Sequence, residues 1–307
     1  MDSIKVFSPG SVTNLSCGYD ILGFCLDKVG DTITVTKTSE KGIKISSIDK
    51  YNLPTSIDKN VAGIAAQAMM KDIKLDYGFD IKIKKGIKPG SGIGSSAASS
   101  AGVVFAINKL IDSPFSDLEL IRFAMEGEKF VSGSYHADNV SPILLGGFTL
   151  VRSVKDLDII KLPNPKGLIA TIIRPEIELK TSDSRKVVKS KVTIDKMVQQ
   201  SANLAAFISS LYTEDYDLMS NSIVDEIIEP DRALLIPEFY NIKDIGIKSG
   251  AIACGISGSG PAIFALSKSN KIANDILNKM SSHFNSVNIN YSGFVSIINS
   301  EGVKVID

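Results

Sequence analysis

From Phe79 to Lys84 apolar and polar residues alternate. Phe79, Ile81 and Ile83 fall on one face and Asp80, Lys82 and Lys84 on the other, which is the period of a half-buried strand. The pattern breaks over the next residues and resumes at helical spacing, with Ala97, Ala101, Val104, Ile107 and Ile111 recurring on one side. Upstream, Ile4–Phe7 reads as a short strand that runs into a polar loop over 8–20. The alternation returns from Asp31 to Lys37, with Ile33 and Val35 inward, and Ile43-Lys44-Ile45 reads as its hairpin partner. A helix is predicted to open after Asp58-Lys59-Asn60, carrying Val61, Ile64, Ala65, Ala68 and Met69. Another is predicted over Ser116–Gly133, with Leu118, Ile121, Ala124 and Met125 inward. Around 151–165 the chain turns charged and rich in turn residues. Beyond that stretch come a buried strand at Leu168–Ile173, helices at Ile194–Leu211 and Tyr216–Ser222, and an apolar strand at Ala262–Leu266. This change of pattern divides the chain into 1–152 and 153–307.

The break between strand and helix carries the chemistry. It reads Pro89-Gly90-Ser91-Gly92-Ile93-Gly94-Ser95-Ser96-Ala97-Ala98. Glycines at alternate positions permit positive φ and close approach of a ligand to the backbone. A small-residue loop feeding a helix start aims free N–H groups and the positive end of the helix dipole at one point, an anion site suited to phosphate. The two commonest phosphate motifs fail. No lysine follows Gly94, and only Ile93 separates Gly92 from Gly94. A tight turn whose glycines serve packing alone is the competing reading.

Composition narrows the class. The 307 residues are 44% hydrophobic and 22% charged, enough for ample cores, and 34 Lys+Arg balance 34 Asp+Glu. No basic run or aromatic-interleaved patch points to a nucleic acid. Residues 1–5 lack the apolar region of a signal peptide, and no apolar stretch reaches membrane-spanning length. Cys17, Cys25 and Cys254 are odd in number and form no Cys-x-x-Cys pair, so they read as reduced core thiols in a cytoplasmic protein.

The order Pro-x-x-x-Gly-x-Gly-Ser-Ser-Ala-Ala resembles the phosphate-binding motif of the GHMP kinases. The resemblance implies that Lys88, Pro89, Gly90, Ser91, Gly92, Ile93, Gly94, Ser95, Ser96, Ala97 and Ala98 embrace the ATP phosphates, with Ser96 helping to hold Mg²⁺. Pro9, Asn14-Leu15, Gly18 and Asp20 match the first motif in its homoserine-kinase form, where Asn14 and Asp20 bind the amino-acid substrate. On residue type alone, turn chemistry explains both equally well. The same likeness sets Asn60 and Val61 beside the adenine, although Asn60 also suits an ordinary helix cap. It makes Glu128, otherwise a face residue, the acidic Mg²⁺ partner of Ser96. His136-Ala137-Asp138-Asn139 matches a His-x-Asp-Asn segment in which His136 and Asn139 contact substrate. Asp138 stands where mevalonate-type relatives carry a catalytic aspartate, so His136, Asp138 and Asn139 form the candidate catalytic set. Arg185 and Arg232, by type surface residues, become clamps on a substrate carboxylate. Gly255–Pro261 matches the third motif, a turn that supports the phosphate loop.

The implied fold is α+β with two domains, ribosomal-protein-S5-like and then ferredoxin-like. The implied reaction is Mg²⁺- and ATP-dependent phosphorylation of the hydroxyl of L-homoserine. The partner set is this small molecule, with no nucleic acid and no membrane, and it admits a homodimer. A mevalonate- or sugar-type kinase and a non-catalytic nucleotide binder are the rival readings.

Overall fold

The computed structural model describes residues 1–179 and 181–306. β1 (Ser3–Thr13) runs well past Phe7, through Ser8–Ser11, which the sequence reading assigns to a loop; the register shifts between Pro9 and Ser11. The cause is burial on both sides. From Ser8 to Thr13 every residue is buried, so no alternation marks the strand. β2 (Leu22–Thr38) pairs antiparallel with β1.

β3 (Gly42–Asp49) is not the hairpin partner of β2. After α1 (Val61–Met70) the chain returns as β4 (Gly78–Lys84), which lies between them, antiparallel to β2 and parallel to β3. The link over 39–41 therefore crosses the start of β4, and Gly78 makes the crossing possible. A Cβ there would sit 2.2 Å from the Glu40 carbonyl oxygen and 2.3 Å from that of Gly42.

α2 (Ser95–Leu110) and α3 (Asp117–Ser132) pack with α1, and α2 lies against β1 and β2. The buried stripe of α3 runs through Leu120, Ile121, Ala124 and Glu128, which leaves Leu118 44% exposed rather than inward. α4 (Val140–Leu145) follows, then β5 (Phe148–Ser153) on β2 and β6 (Asp158–Leu162) on β5.

β7 (Ile169–Pro175) opens a second sheet. α5 (Thr181–Lys186), α6 (Ile194–Thr213), α7 (Tyr216–Ser222), α8 (Glu229–Arg232) and α9 (Phe239–Lys248) separate it from β8 (Ala253–Ile256) and β9 (Ile263–Ser267). α10 (Asn270–Ser286) and β10 (Tyr291–Ile297) complete an antiparallel sheet ordered β10-β7-β9-β8, the ferredoxin-like arrangement. β11 (Lys304–Val305) then returns to pair with β1 in the first sheet. The two-domain α+β architecture expected from sequence is therefore the one observed. Phe24, Phe148 and Phe207 meet in a chain of tilted and edge-on ring contacts, tying α6 to the first sheet in a single large core.

The division expected at 152/153 cuts off the last residue of β5 and separates β5 from β6, although both lie in the first sheet. We propose that the first unit extends through Leu162 and reclaims residues 298–306. Among the described residues no helix is long and apolar enough to cross a membrane. All three cysteines are buried, and burial pushes the thiols of Cys17 and Cys254 up to about 12, as inert core residues require.

Candidate active site

The phosphate loop has the backbone that its glycines suggest. Gly90, Gly92 and Gly94 take φ of 68°, 80° and 71°, and Gly94 sits at the N-cap of α2 without a side-chain cap. The first N–H groups of α2 consequently have no helical acceptor and are available to a ligand. The turn between β8 and β9 braces this loop: Ser257 Oγ donates to the Gly92 carbonyl at 2.7 Å, and a Cβ on Gly92 would lie 2.8 Å from the Gly260 carbonyl oxygen. Ile93, Ala97 and Ala98 bury their side chains in the core, so only their backbone faces a ligand, and Lys88 does not line the cavity. Gly92→Ala meets backbone on one side and adopts a conformation unfavourable to any Cβ. It should weaken ATP binding about tenfold, as 1–2 kcal/mol of strain implies. Unchanged affinity by calorimetry would show that the loop is a turn and nothing more.

Beneath the loop lies a buried ion pair that the sequence does not reveal. Lys85 Nζ donates to Asp31 Oδ2, to Ser99 Oγ at 2.9 Å and to the Ser95 carbonyl at 3.0 Å, and both charged residues are almost wholly enclosed. Asp31 Oδ1 accepts from the backbone N–H groups of Gly86 and Ile87. Each charge is fully hydrogen-bonded, the condition under which a buried pair is tolerated. Lys85 thus joins the end of β4 to the first turn of α2.

A cavity of about 250 Å³ opens above the loop, with Ile48, Leu53, Val61 and Ile83 as its apolar wall. Asn60 also lines it, but its side chain is committed to structure. It caps α1 by accepting from the N–H groups of Ala62 and Gly63, and it donates to the Pro54 carbonyl at 2.8 Å.

Glu128, on α3, reaches the cavity from behind Ser96. It is 8% exposed, and its Oε1 has no hydrogen-bond partner among the described residues. Burial pushes the carboxyl up to about 7, against the pull of the Ser96 hydroxyl and Lys85. An enclosed, unpartnered carboxylate oxygen beside a serine hydroxyl is a donor set that fits Mg²⁺ held mainly by phosphate and water.

The substrate candidates gather on the same cavity. Asp20 and Arg185 form a bidentate pair at 2.9 and 3.1 Å, so the two charges expected to grip a substrate grip one another. Arg185 Nε stays buried with no hydrogen-bond partner among the described residues. Arg232 is 3% exposed and donates to the carbonyls of Ser184 at 3.2 Å and Gly258 at 2.9 Å. Asn14 uses both ends of its amide internally: Nδ2 donates to the Gly258 carbonyl at 2.6 Å, and Oδ1 accepts from the Asp20 N–H at 2.9 Å. Its φ is 72°. The Asn14 amide is thus engaged at both ends within the turn, and the residue also lines the cavity.

His136 bonds Ser134 Oγ through Nε2 at 2.7 Å and lies near Arg185 Nη2 through Nδ1. Burial lowers its pKa more than Asp20 raises it, which keeps the ring neutral near pH 7. Asn139 Oδ1 accepts from Ser11 Oγ at 2.8 Å, leaving Nδ2 without a hydrogen bond among the described residues. The Asp138 carboxyl is pushed up to about 7 by burial and then by Asp20, with Arg185 opposing. The glycine loop, the carboxylates and both arginines therefore line one cleft.

Family models for the N-terminal and C-terminal domains of GHMP kinases match residues 60–147 and 207–286. The chain is 37% identical over its whole length to the homoserine kinase of Chlorobium phaeobacteroides strain BS1, which is likewise covered in full. It is 40% identical to that of Methanococcus vannielii, with 87% of this chain and 89% of the relative covered. The crystal structure of homoserine kinase from Cytophaga hutchinsonii superposes with a TM-score of 0.96 at 42% identity, covering 100% of this chain and 98% of the other.

Proposed function

The chain belongs to the GHMP kinase family, and from that premise we propose that it transfers the γ-phosphoryl group of ATP to the side-chain hydroxyl of L-homoserine. The carrying observation is that a single cavity joins the phosphate loop to the Asp20, Arg185 and Arg232 cluster. Homoserine brings a carboxylate, an ammonium and a hydroxyl. The arginines suit the carboxylate, since planar donor pairs match its geometry. Asp20 suits the ammonium, inserted beside the Arg185 pair.

In phosphoryl transfer the protein contributes position and charge stabilisation. The N–H groups at the start of α2 and the Ser91 hydroxyl, buried without a partner among the described residues, cradle the phosphates. Ser96 and Glu128 would hold Mg²⁺, which when bound neutralises charge on the phosphate oxygens. Neutral His136 and the free Asn139 amide steer the attacking hydroxyl. Asp138, with a carboxyl at about 7, is poised near neutral pH to take up its proton.

A purified sample given Mg²⁺, ATP and a panel of L-homoserine, mevalonate and galactose should phosphorylate homoserine alone. Turnover of mevalonate or galactose without homoserine points to a sibling activity, and nucleotide binding without any turnover points to a non-catalytic member.

A further inference from the structure

Arg185 and Arg232 come from separate helices, carry like charges, and converge on one aromatic ring. The Arg232 guanidinium carbon lies 4.9 Å from the centroid of Tyr19, and that of Arg185 lies 5.9 Å from it. The Tyr19 hydroxyl oxygen accepts from Arg185 Nη1 at 3.2 Å and from Arg232 Nη2 at 3.5 Å. Two guanidinium groups this close repel; the pKa of Arg232 is lowered chiefly by burial and further by Arg185, with Tyr19 and Asp20 opposing. A phenol answers that repulsion in two ways. Its ring face attracts cations, and its oxygen offers both arginines an acceptor between them.

The loop fixes where the ring stands. Gly18 donates its N–H to the Asn14 carbonyl at 2.8 Å and Asp20 donates its own to the Asn14 side chain, so Tyr19 is held between two anchored neighbours. The matching family pattern leaves this position open, and no substrate role is attached to it.

We propose that Tyr19 is a positioning residue that sets carboxylate specificity, holding Arg185 and Arg232 at the separation at which both grip one substrate carboxylate; the inference rests on the homoserine reading. Tyr19 contributes little to the phosphate cradle, which is built from residues 90–96 and braced by Ser257. Its effect therefore appears in substrate affinity rather than in nucleotide binding or chemistry.

Two variants separate the oxygen from the ring. Tyr19→Phe removes only the shared acceptor and should raise the KM for homoserine about fivefold. Tyr19→Leu removes the ring as well and should raise it about fiftyfold. Both should keep kcat within about threefold of wild type and leave the KM for ATP unchanged. Aminopropanol, which is homoserine without its carboxylate, should be used by both variants as poorly as by wild type and no worse. If wild type turns homoserine over and both variants hold its KM within twofold, the positioning role is wrong while the kinase reading stands. Equal losses with homoserine and aminopropanol also overturn it, because the ring then serves the fold alone. A wild-type protein inactive on homoserine overturns the kinase reading and this inference together.

Discussion

Glu128→Gln lowers turnover about a thousandfold or more and, in metal-free protein above pH 7, raises stability. The two effects share one cause. Glu128 is enclosed with Oε1 unpartnered, and burial carries its carboxyl from 4.5 to about 7. A folded pKa above the unfolded value favours the protonated form. The stability contribution is complete below about pH 4.5 and is lost as pH rises through 7, a change of roughly 3 kcal/mol. Glutamine keeps the shape and has no proton to lose, so it escapes that penalty. Chelator-treated wild type should therefore lose roughly 3 kcal/mol more stability than the variant between about pH 4.5 and 7, the loss caused by Asp138 being common to both. The same substitution removes the anionic oxygen proposed to hold Mg²⁺, a loss worth several kcal/mol of transition-state stabilisation. Thermal unfolding across pH and initial rates at saturating substrates check both halves. Full activity in the variant would place the metal elsewhere, and parallel stability profiles would show that burial leaves the Glu128 carboxyl unshifted.

Arg185→Leu and Arg232→Leu should each raise the KM for homoserine by between about thirtyfold and several thousandfold, equivalent to about 2–5 kcal/mol, with ATP affinity nearly intact. The two losses differ in kind. Arg232 is pinned by the carbonyls of Ser184 and Gly258, so its removal leaves acceptors that water can reach only from the cavity. Arg185 is the bidentate partner of Asp20 and restrains the Asp138 carboxyl, so its removal strands one carboxylate and drives another further toward its neutral form. Arg185→Leu should consequently depress kcat as well as affinity, and Arg232→Leu mainly affinity. Aminopropanol controls for misfolding, since a carboxylate-free substrate loses little more in either variant. Normal homoserine binding in both variants would mean that other groups read the carboxylate.

What was legible in the sequence follows from the range of the forces involved. The phosphate loop is local chemistry, three glycines and a run of serines ahead of a helix, and its positive φ values are those the residues foretell. The first sheet was legible strand by strand but not in order. Neighbours in a sheet are chosen by contacts across the chain, and nothing in Ile43–Ile45 says that Phe79–Ile83 will intervene. β1 was cut short because a strand buried on both faces loses the alternation by which strands are recognised. Nothing local marks Lys85, which simply follows Lys84, or Asp31 at the start of the Asp31–Lys37 alternation. Only folding brings them together, 54 positions apart. At the substrate cluster the residues were legible and their bonding was not. Asn14 Oδ1 accepts from the Asp20 N–H, and Asp20 in turn accepts from Arg185.

The return of β11 to the edge of β1 bears on how the polypeptide assembles during synthesis. Val6 pairs with Val305, Asn299 donates its N–H to the Cys25 carbonyl, and Val303 donates to that of Ile143. The first unit thus remains open along one edge while the second is being made, because the residues that seal it leave the ribosome some three hundred positions later. Bare strand edges recruit other strands, and closing so long a loop is entropically slow to reward. A fragment ending after Leu162 would keep the phosphate loop and the Lys85–Asp31 pair yet carry an unsealed sheet. Such a fragment would hold the glycine loop, Asp20 and His136 but lack Arg185, Arg232 and the Ser257 brace, which only the later half of the chain supplies.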